Sequence, residues 1–217
     1  LMVRTSLTGE TMVIVMFGED APDGIDRVMA AVHQSFPDLT SLNYVVNTSR
    51  NDSLGDHPVH RYAGARWITE RCGTNSLRIR PKAFYQTNPE QAVRLYEAAL
   101  ELAELQGHET VFDLYCGIGS IALFVAPHVK EVVGIEVVGD AVTAARENAK
   151  LNGIENATFV AGQVESVLPE VITLFGTPDT VFLDPPRAGL HPGARKTLLA
   201  LAPRRIVYVS APLDLTF

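Results

Sequence analysis

The sequence predicts a parallel α/β domain in its second half, preceded by a small α+β domain. From residue 110 onward, short apolar segments with strand character alternate with helical segments, which is typical of parallel strands joined by helical crossovers. Residues 1–82 instead combine a hairpin, one helix and further short strands. We therefore expect an α+β domain over residues 1–82 and a Rossmann-like α/β domain over residues 83–217.

Apolar spacing and turn residues predict the elements of the first domain. Thr8-Gly9-Glu10 separates two β-rich segments and predicts a hairpin, while Pro22 and Pro37 enclose a segment of helical period. The predicted order is a strand over 3–7, a strand over 12–17, a helix over 23–36, a strand over 39–46, a polar loop over 47–57, and short β-like segments at 67–71 and 77–80.

The second domain starts with a long amphipathic helix, predicted over residues 89–105. Its apolar side is expected to carry Ala92, Leu95, Tyr96, Ala99 and Leu102. Five strands are predicted after it, over residues 110–114, 131–135, 157–161, 180–183 and 205–209, and the clearest helix between them covers residues 139–151. Ligands of such sheets bind outside the carboxyl ends of the strands, so the residues at those ends are the candidates for a site.

The composition of the 217 residues excludes several classes of protein. Hydrophobic residues make up 47% and charged residues 20%, as in soluble globular domains. The sequence has no run of about 18 apolar residues and no charged-then-apolar leader, so we expect a cytoplasmic protein without a membrane partner. Cys72 and Cys116 are too few for a disulfide framework or a cysteine metal site, and we expect no metal.

One stretch of the chain is strongly basic although the net charge is −7. Residues 61–82 contain a single acid, Glu70, and carry Tyr62 and Trp67 among their cations. Arginine beside aromatic rings suits contact with the phosphates and bases of RNA, and the alternative is a solvated face of a small sheet. The cations are Arg61, Arg66, Arg71, Arg78, Arg80 and Lys82.

Glycines and polar residues stand where the first three strands of the second domain end. The first strand runs into Tyr115-Cys116-Gly117-Ile118-Gly119-Ser120, whose two glycines permit a tight turn and close approach of a ligand. The second strand ends at Glu136, a carboxylate that can accept both hydroxyls of an adenosine ribose. Gln163 follows the third strand and can reach an adenine edge or start a helix. These features fit an NAD-dependent oxidoreductase equally well and do not decide the class.

The end of the fourth strand decides between the classes. It reads Asp184-Pro185-Pro186, and two successive prolines can neither continue a central strand nor enter a helix interior. They form a stiff turn that holds Asp184 toward the crevice, and the alternative is a solvent loop. Many base-modifying methyltransferases hold a planar target beside the methyl donor in this way, whereas hydride transfer has no need of it. The sequence thus favours a methyltransferase.

Together these motifs resemble those of the bacterial RNA (uracil-5-)-methyltransferases, over almost the whole chain. Phe84-Tyr85-Gln86-Thr87-Asn88-Pro89 is similar to F-F-Q-x-N, and residues 113–120 are similar to D-L-[YF]-C-G-x-G-[ST]. Gly134-Ile135-Glu136 is similar to V-G-[IV]-E, Asp184-Pro185-Pro186-Arg187-Ala188-Gly189 to D-P-P-R-x-G, and residues 205–210 to the strand before V-S-C-N-P. The first domain resembles the family's central RNA-facing domain, nearer the 23S ribosomal RNA branch than the transfer RNA branch.

The resemblance implies a cofactor, S-adenosyl-L-methionine, and residues that surround it and the uracil. Tyr115 is expected to flank the adenosine, Glu136 to hold the ribose, and Asp184 to act near the target base as an auxiliary catalytic group. The implied cofactor-binding residues are Gln86, Tyr115, Gly117, Ser120, Glu136, Gln163 and Asp184. Gln163 stands where the family more often has Asp or Asn. The implied partner is RNA, 23S ribosomal RNA in this branch, bound through the basic stretch.

The resemblance breaks at the nucleophile. In the family a cysteine thiolate adds to carbon 6 of uracil, the enolate attacks the sulfonium methyl group, and a base removes the proton from carbon 5. The cysteine belongs after Val209-Ser210, where this sequence has Ala211. Relative to the family, we expect the chain to be truncated at both ends, without the N-terminal β-barrel, the iron–sulfur cysteines, the C-terminal glutamate base and the last hairpin. We predict that it binds the cofactor but does not methylate uracil by the cysteine route.

The sequence leaves two other functions open. The first is a cofactor- or RNA-binding module without turnover, which Ala211 favours. The second is the NAD-dependent oxidoreductase, which Asp184-Pro185-Pro186 disfavours. Without the last hairpin, the strand over residues 205–209 is expected to leave an open sheet edge, which predicts dimerisation through that edge.

Overall fold

A computed structural model describes residues 1–49, 54–55, 57–186 and 189–209. Contacts divide these residues into two compact units. The first unit consists of Leu1–Arg71 and Arg78–Tyr85, and the second consists of Cys72–Leu77 and the described residues from Gln86 onward. The expected domain boundary between residues 82 and 83 stays a prediction.

A four-stranded sheet with the order β1-β2-β3-β4 forms the first unit. The elements are β1 (Met2–Thr5), β2 (Thr11–Phe17), α1 (Pro22–Ser35), β3 (Ser41–Val46) and β4 (His60–Gly64). The predicted hairpin is present, and β2 and β3 pair parallel because α1 crosses over between them. Ile25 and Met29 of α1 pack against Val13 and Leu42 of the sheet. No strand is predicted at β4, because its charged and small residues lack apolar alternation.

A two-stranded sheet is formed by β5 (Ile68–Cys72) and β6 (Asn75–Ile79), near the predicted β-like segments. Its turn is held by hydrogen bonds within the second unit. Asn75 Nδ2 donates to the carbonyl of Leu123 over 3.0 Å. The N–H of Ser76 donates to Oδ1 of Asn152 over 2.8 Å, and Asn152 Nδ2 donates back to the carbonyl of Ser76 over 2.8 Å. These side-chain amides thus attach the turn to the rest of the second unit.

A five-stranded parallel sheet with the order β11-β10-β7-β8-β9 forms the core of the second unit. The elements are α2 (Pro89–Ala103), β7 (Thr110–Leu114), α3 (Ser120–Val125), a 3₁₀ turn (Ala126–His128), β8 (Glu131–Glu136), α4 (Gly139–Leu151), β9 (Ala157–Ala161), α5 (Val164–Phe175), β10 (Thr180–Leu183), α6 (Pro192–Leu201) and β11 (Arg205–Tyr208). The predicted Rossmann-like α/β class is confirmed. Strands β7 and β10 are buried along their whole length, as central strands covered on both faces are.

The predicted apolar side of α2 is partly wrong. The buried residues of this helix are Ala92, Tyr96, Ala99 and Ala103. Leu95 and Leu102 are 39% and 66% exposed, because they lie to one side of that stripe at helical geometry. Among the described residues, none of the helices combines the length and apolarity that a membrane span requires.

Candidate functional site

The carboxyl ends of the parallel strands meet at one edge of the sheet, beside a switch in strand order. The chain passes from β7 to β8 on one side of β7, whereas β10 lies on its other side. In sheets of this kind, ligands bind in the crevice outside such a switch point. Leu114 of β7, Glu136 of β8 and Leu183 of β10 end their strands at this edge. The loops that follow these residues therefore form the candidate site.

The loop after β7 turns sharply. The N–H groups of Tyr115 and Cys116 both donate to the carbonyl of Ile135 on β8, over 2.9 and 3.1 Å. Tyr115 has a φ of 67°, a left-handed conformation that is costly for a residue with a side chain and is concentrated at functional sites. Gly117 has a φ of 53°, and a Cβ placed on it would meet no atom within 4 Å. The backbone at Gly117 is therefore open to a ligand.

The carboxylate of Glu136 joins this loop to the end of β8. Its Oε2 accepts the N–H of Gly117 over 3.0 Å, and its Oε1 accepts the N–H of Val138 over 2.9 Å. Each oxygen retains a lone pair, so the carboxylate can also accept two hydroxyl groups of a ligand. The side chains of Val137 and Val138 are 56% and 55% exposed beside it. A ribose carrying a flat base suits this combination of acceptor and apolar surface.

Asp113 is a buried acid one residue before the end of β7 and is not among the site residues predicted from the sequence. Its exposed fraction is 1%. Its Oδ2 accepts the N–H of Ala122 over 2.9 Å, whereas its Oδ1 has no hydrogen-bond partner among the described residues. Burial raises the pKa of this carboxyl to about 8, the Ala122 bond opposes the rise, and the charges of Asp184 and Glu136 add to it. An acid inside an otherwise apolar strand is the sequence signal that points to it.

Asp184 follows β10, the neighbour of β7. Its N–H lies 3.5 Å from the carbonyl of Leu114, and its side chain is half-buried. Burial raises the pKa of this carboxyl, which makes it a stronger proton acceptor than an exposed aspartate. Two residues of the motif, Arg187 and Ala188, and the nucleophile position Ala211 lie outside the described residues.

A cavity of about 440 Å³ opens among the loops that follow β7, β8, β9 and β10. Its volume is within the range of small-molecule sites. Two predicted residues, Tyr115 and Gln163, line it. Val137, Glu165 and His191 also line it and were not predicted from the sequence. A second cavity of about 340 Å³ lies at the turn between α4 and β9, toward the opposite edge of the sheet.

The remaining predicted residues do not line this cavity. Ser120 begins α3, and its hydroxyl interacts with the buried phenol of Tyr96. Gln86 is half-buried ahead of α2, whose first turn is capped by Asn88 through the N–H of Gln91 at 3.1 Å. The binding roles of the predicted site residues stay predictions. Within the described ranges, no three His, Cys, Asp or Glu side chains are grouped to hold a metal ion.

The basic stretch over residues 61–82 lies in the first unit, except for Cys72–Leu77, which belong to the second unit. Its single acid, Glu70, is only 1% exposed, and its Oε1 accepts the N–H groups of Leu7 and Arg71 over 3.0 and 2.8 Å. The guanidinium of Arg78 lies 4.4 Å from the ring centroid of Trp67. Burial of the acid leaves the exposed part of the stretch cationic. Its exposed cations are Arg61, Arg66, Arg71 and Lys82.

Similar proteins are known from sequence and from structure. Proteins named as uncharacterized RNA methyltransferases are 48% identical in Porphyromonas gingivalis and 44% identical in Bacteroides thetaiotaomicron, over 97% of this chain in each case. The alignments cover 45% and 47% of those two proteins, so the chain spans about half their length.

A solved structure extends the likeness to the fold. The tRNA (uracil-54, C5)-methyltransferase of Pyrococcus abyssi, in complex with S-adenosyl-L-homocysteine, is 31% identical with a TM-score of 0.76. The match covers 95% of this chain and 48% of that protein. A sequence profile of the tRNA (uracil-5-)-methyltransferases matches residues 74–215, more than half of the chain. The chain therefore belongs to the tRNA (uracil-5-)-methyltransferase family, as the resemblance of its motifs predicts.

Proposed function

We propose that this chain is the cofactor-binding part of a cytoplasmic enzyme that methylates carbon 5 of uridine in RNA with S-adenosyl-L-methionine. The observation that carries the proposal is the joint between Glu136 and Gly117, where one carboxylate orients the loop backbone and keeps lone pairs for a ribose. The cavity lined by Tyr115 and Gln163 supports it. The bound S-adenosyl-L-homocysteine of the Pyrococcus abyssi relative supports the same cofactor.

The side chains fit this cofactor in shape and charge. When bound, the cofactor supplies an electrophilic methyl group on a cationic sulfur. Glu136 would accept the ribose hydroxyls, Tyr115 would flank the adenosine, and Gln163 would bind a polar edge of the adenine. The unpaired Oδ1 of Asp113 and the carboxyl of Asp184 would supply negative potential toward a cation.

Calorimetric titration with S-adenosyl-L-homocysteine and with NAD tests the cofactor. We expect the former to bind and the latter not to bind. Glu136→Gln should weaken binding about tenfold, since one charged acceptor is lost at the ribose. Glu131→Gln, at the other end of β8, is the matched control and should leave binding unchanged. Binding of NAD, or equal effects of both variants, would contradict the proposal.

This chain is further proposed to bind the cofactor without turnover, because Ala211 stands at the position of the nucleophile. The second candidate function, a binding module, rests on the same residue. Incubation with the methyl-labelled cofactor and a uracil-containing 23S ribosomal RNA fragment should transfer no label. Transfer of label to carbon 5 of a uridine by this chain would refute this part of the proposal.

The basic stretch is proposed to bind RNA, with 23S ribosomal RNA preferred to transfer RNA. The exposed Arg66 and Arg71 and the burial of Glu70 support it. We expect an Arg66→Ala/Arg71→Ala variant to weaken binding of a 23S fragment severalfold and to reduce the salt dependence by about two charges in fluorescence anisotropy. Arg27→Ala, an exposed arginine of α1, is the control. Equal binding of transfer RNA would contradict the preferred substrate.

Dimerisation through β11 is the last part of the proposal. β11 is an end strand of the described sheet, and its Ile206 and Tyr208 are 44% and 49% exposed. Unpaired strand edges favour pairing with another chain. Size-exclusion chromatography with light scattering should give the mass of a dimer. A monomeric mass at micromolar concentration would contradict it.

A further inference from the structure

Asp113 combines burial with an unsatisfied acceptor. Every residue of Thr110–Leu114 is buried, and Asp113 is the acid among them. The N–H of Ala122 satisfies Oδ2, but Oδ1 has no partner among the residues that the structure describes. Buried polar groups are nearly always paired, so an orphaned oxygen at the ligand edge of the sheet indicates a missing partner. That partner must donate a hydrogen bond or carry positive charge.

The titratable groups that act on Asp113 are neutral or acidic. Glu136 comes from the end of β8 and Asp184 from the end of β10. Cys116 lies in the loop after β7, and Tyr96 approaches from α2. The two charges that shift the pKa of Asp113, those of Asp184 and Glu136, are both negative. Positive charge is therefore what the cluster lacks.

We propose that Asp113 is a specificity-determining residue that makes the site prefer a cationic ligand, the sulfonium form of the cofactor, over the neutral thioether product. This inference rests on the proposed function, since it names how the same site distinguishes its substrate from its product. The geometry points to it through the orphaned Oδ1 and the two neighbouring carboxyls. The loop with Gly117 and the carboxylate of Glu136 would bind the sulfonium cofactor and the thioether product alike, because the ribose and the adenine are identical in the two molecules.

The charge balance follows directly. With its pKa raised to about 8, Asp113 is mostly protonated at pH 7 when no cation is near. Arrival of the sulfonium cation favours the ionised carboxyl, so a proton leaves to solvent on binding. Departure of the methyl group leaves a neutral thioether, and Asp113 recovers a proton from solvent. Product affinity then falls relative to substrate affinity, which favours exchange of the two.

Proton release on binding is the direct measurement. The whole chain is titrated at pH 7 in phosphate and in Tris, whose ionisation enthalpies differ, with three probes. These are S-adenosyl-L-methionine, sinefungin, which carries an ammonium near the sulfur position, and S-adenosyl-L-homocysteine. We expect the two cationic probes to release more protons than the homocysteine probe. The preference for S-adenosyl-L-methionine should grow with pH and level off above about pH 8.

Asp113→Asn separates charge from position. The amide oxygen can still accept the N–H of Ala122, so the start of α3 keeps its bond. We expect this variant to lose the difference in proton release and to reduce the preference for the cationic probes about tenfold, which is one pKa unit of coupling. The pH profile of the unmodified chain tests the same point if the variant does not fold. The amino-acid ammonium is common to the three probes, so its titration cancels in the comparison.

The outcomes separate the two proposals. If all three probes bind with equal proton release and a ratio independent of pH, the inference about Asp113 is overturned and the cofactor site stands. An equal loss of affinity for all probes in Asp113→Asn also overturns it, because the residue then acts only on structure. If none of the probes binds, the proposed function fails, and the inference fails with it.

Discussion

Two buried acids lie near the two ends of β7, and they are treated in opposite ways. Glu109, just before the strand, accepts the N–H of Gln106 through both oxygens at 2.8 and 3.0 Å and that of Gly107 at 2.9 Å. Arg204 adds an ion pair at 3.3 Å. Asp113, near the other end, has one hydrogen bond and one unpaired oxygen. Both residues are 1% exposed, but Glu109 lies near the protein surface whereas Asp113 lies deep in the second unit.

The difference shows in their proton affinities. Burial alone would raise the pKa of Glu109, but the backbone N–H groups of Gln106, Glu109 and Gly107, together with the charge of His108, outweigh it and the pKa is lowered. At Asp113 burial dominates and the pKa is raised to about 8. Satisfied acceptors make the first acid part of the scaffold. The missing donor makes the second acid a candidate for ligand binding.

The largest effect is expected at the satisfied acid. Glu109→Ala removes the acceptor for the N–H groups of Gln106 and Gly107 and the ion-pair partner of Arg204, and should lower the free energy of unfolding by about 3 kcal/mol. Urea denaturation followed by circular dichroism measures it. Glu104→Ala is the control, because Glu104 is exposed although it pairs with Arg205 at 2.6 Å. A comparable loss in both variants would show that burial does not distinguish these acids.

A smaller effect with opposite pH dependence is expected at the unsatisfied acid. Because the folded pKa of Asp113 exceeds the unfolded value, its proton stabilises the fold below the unfolded pKa, and this stabilisation is lost as pH rises toward 8. Between pH 6 and pH 8 the unmodified chain should lose about 2 kcal/mol relative to Asp113→Asn. The contribution of Glu109, whose pKa is lowered, is instead present at neutral pH and lost in acid. If the free energies of unfolding of the unmodified chain and of Asp113→Asn change equally between pH 6 and pH 8, Asp113 does not differ from Glu109 in the predicted way.

The smallest effect on stability is expected in the loop beside Asp113. Gly117→Ala should cost about 1 kcal/mol, because alanine resists the left-handed backbone although its Cβ has space. Binding of S-adenosyl-L-homocysteine should weaken as well, since the added methyl group fills the open side of the loop. Gly139→Ala at the start of α4 is the control, as its Cβ is also unobstructed and its φ is not positive. If Gly117→Ala lowers the stability but leaves the binding of S-adenosyl-L-homocysteine unchanged, the ligand does not bind against this loop.

The sequence predicts the regular parts of the sheet better than its polar interior. β7, β9 and β10 have their predicted bounds, because each is a short apolar run between turn residues. β4 escapes prediction since pairing with β3, not its own pattern, makes it a strand. The burial of Glu70 could not be foreseen, because its partners are backbone N–H groups, one of them from the distant Leu7. Local periodicity carries no information about such long-range bonds.

The candidate site shows the same division. Gly117 and Glu136 can be placed by motif, and the hydrogen bond between them joins two segments that motifs treat separately. Asp113 begins the motif over residues 113–120, and its bond to the N–H of Ala122 alone would make it a residue that holds the start of α3. Its burial and its unpaired Oδ1 are what indicate a further role. His191 of the cavity wall has no sequence signal beyond its place before α6. A role that depends on which buried atoms lack hydrogen-bond partners cannot be predicted from the sequence, because the partners come from distant parts of the chain.

The turn between β5 and β6 has a consequence for dissecting the gene. Because Asn75 and Ser76 are bonded to Leu123 and Asn152, a shortened clone that starts at Gln86 would discard residues on which the second unit closes. Such a clone would leave the carbonyl of Leu123 and the amide of Asn152 without these partners. Any expression of the cofactor-binding unit alone should therefore start upstream of Cys72, and a protease that cleaves this turn should loosen it.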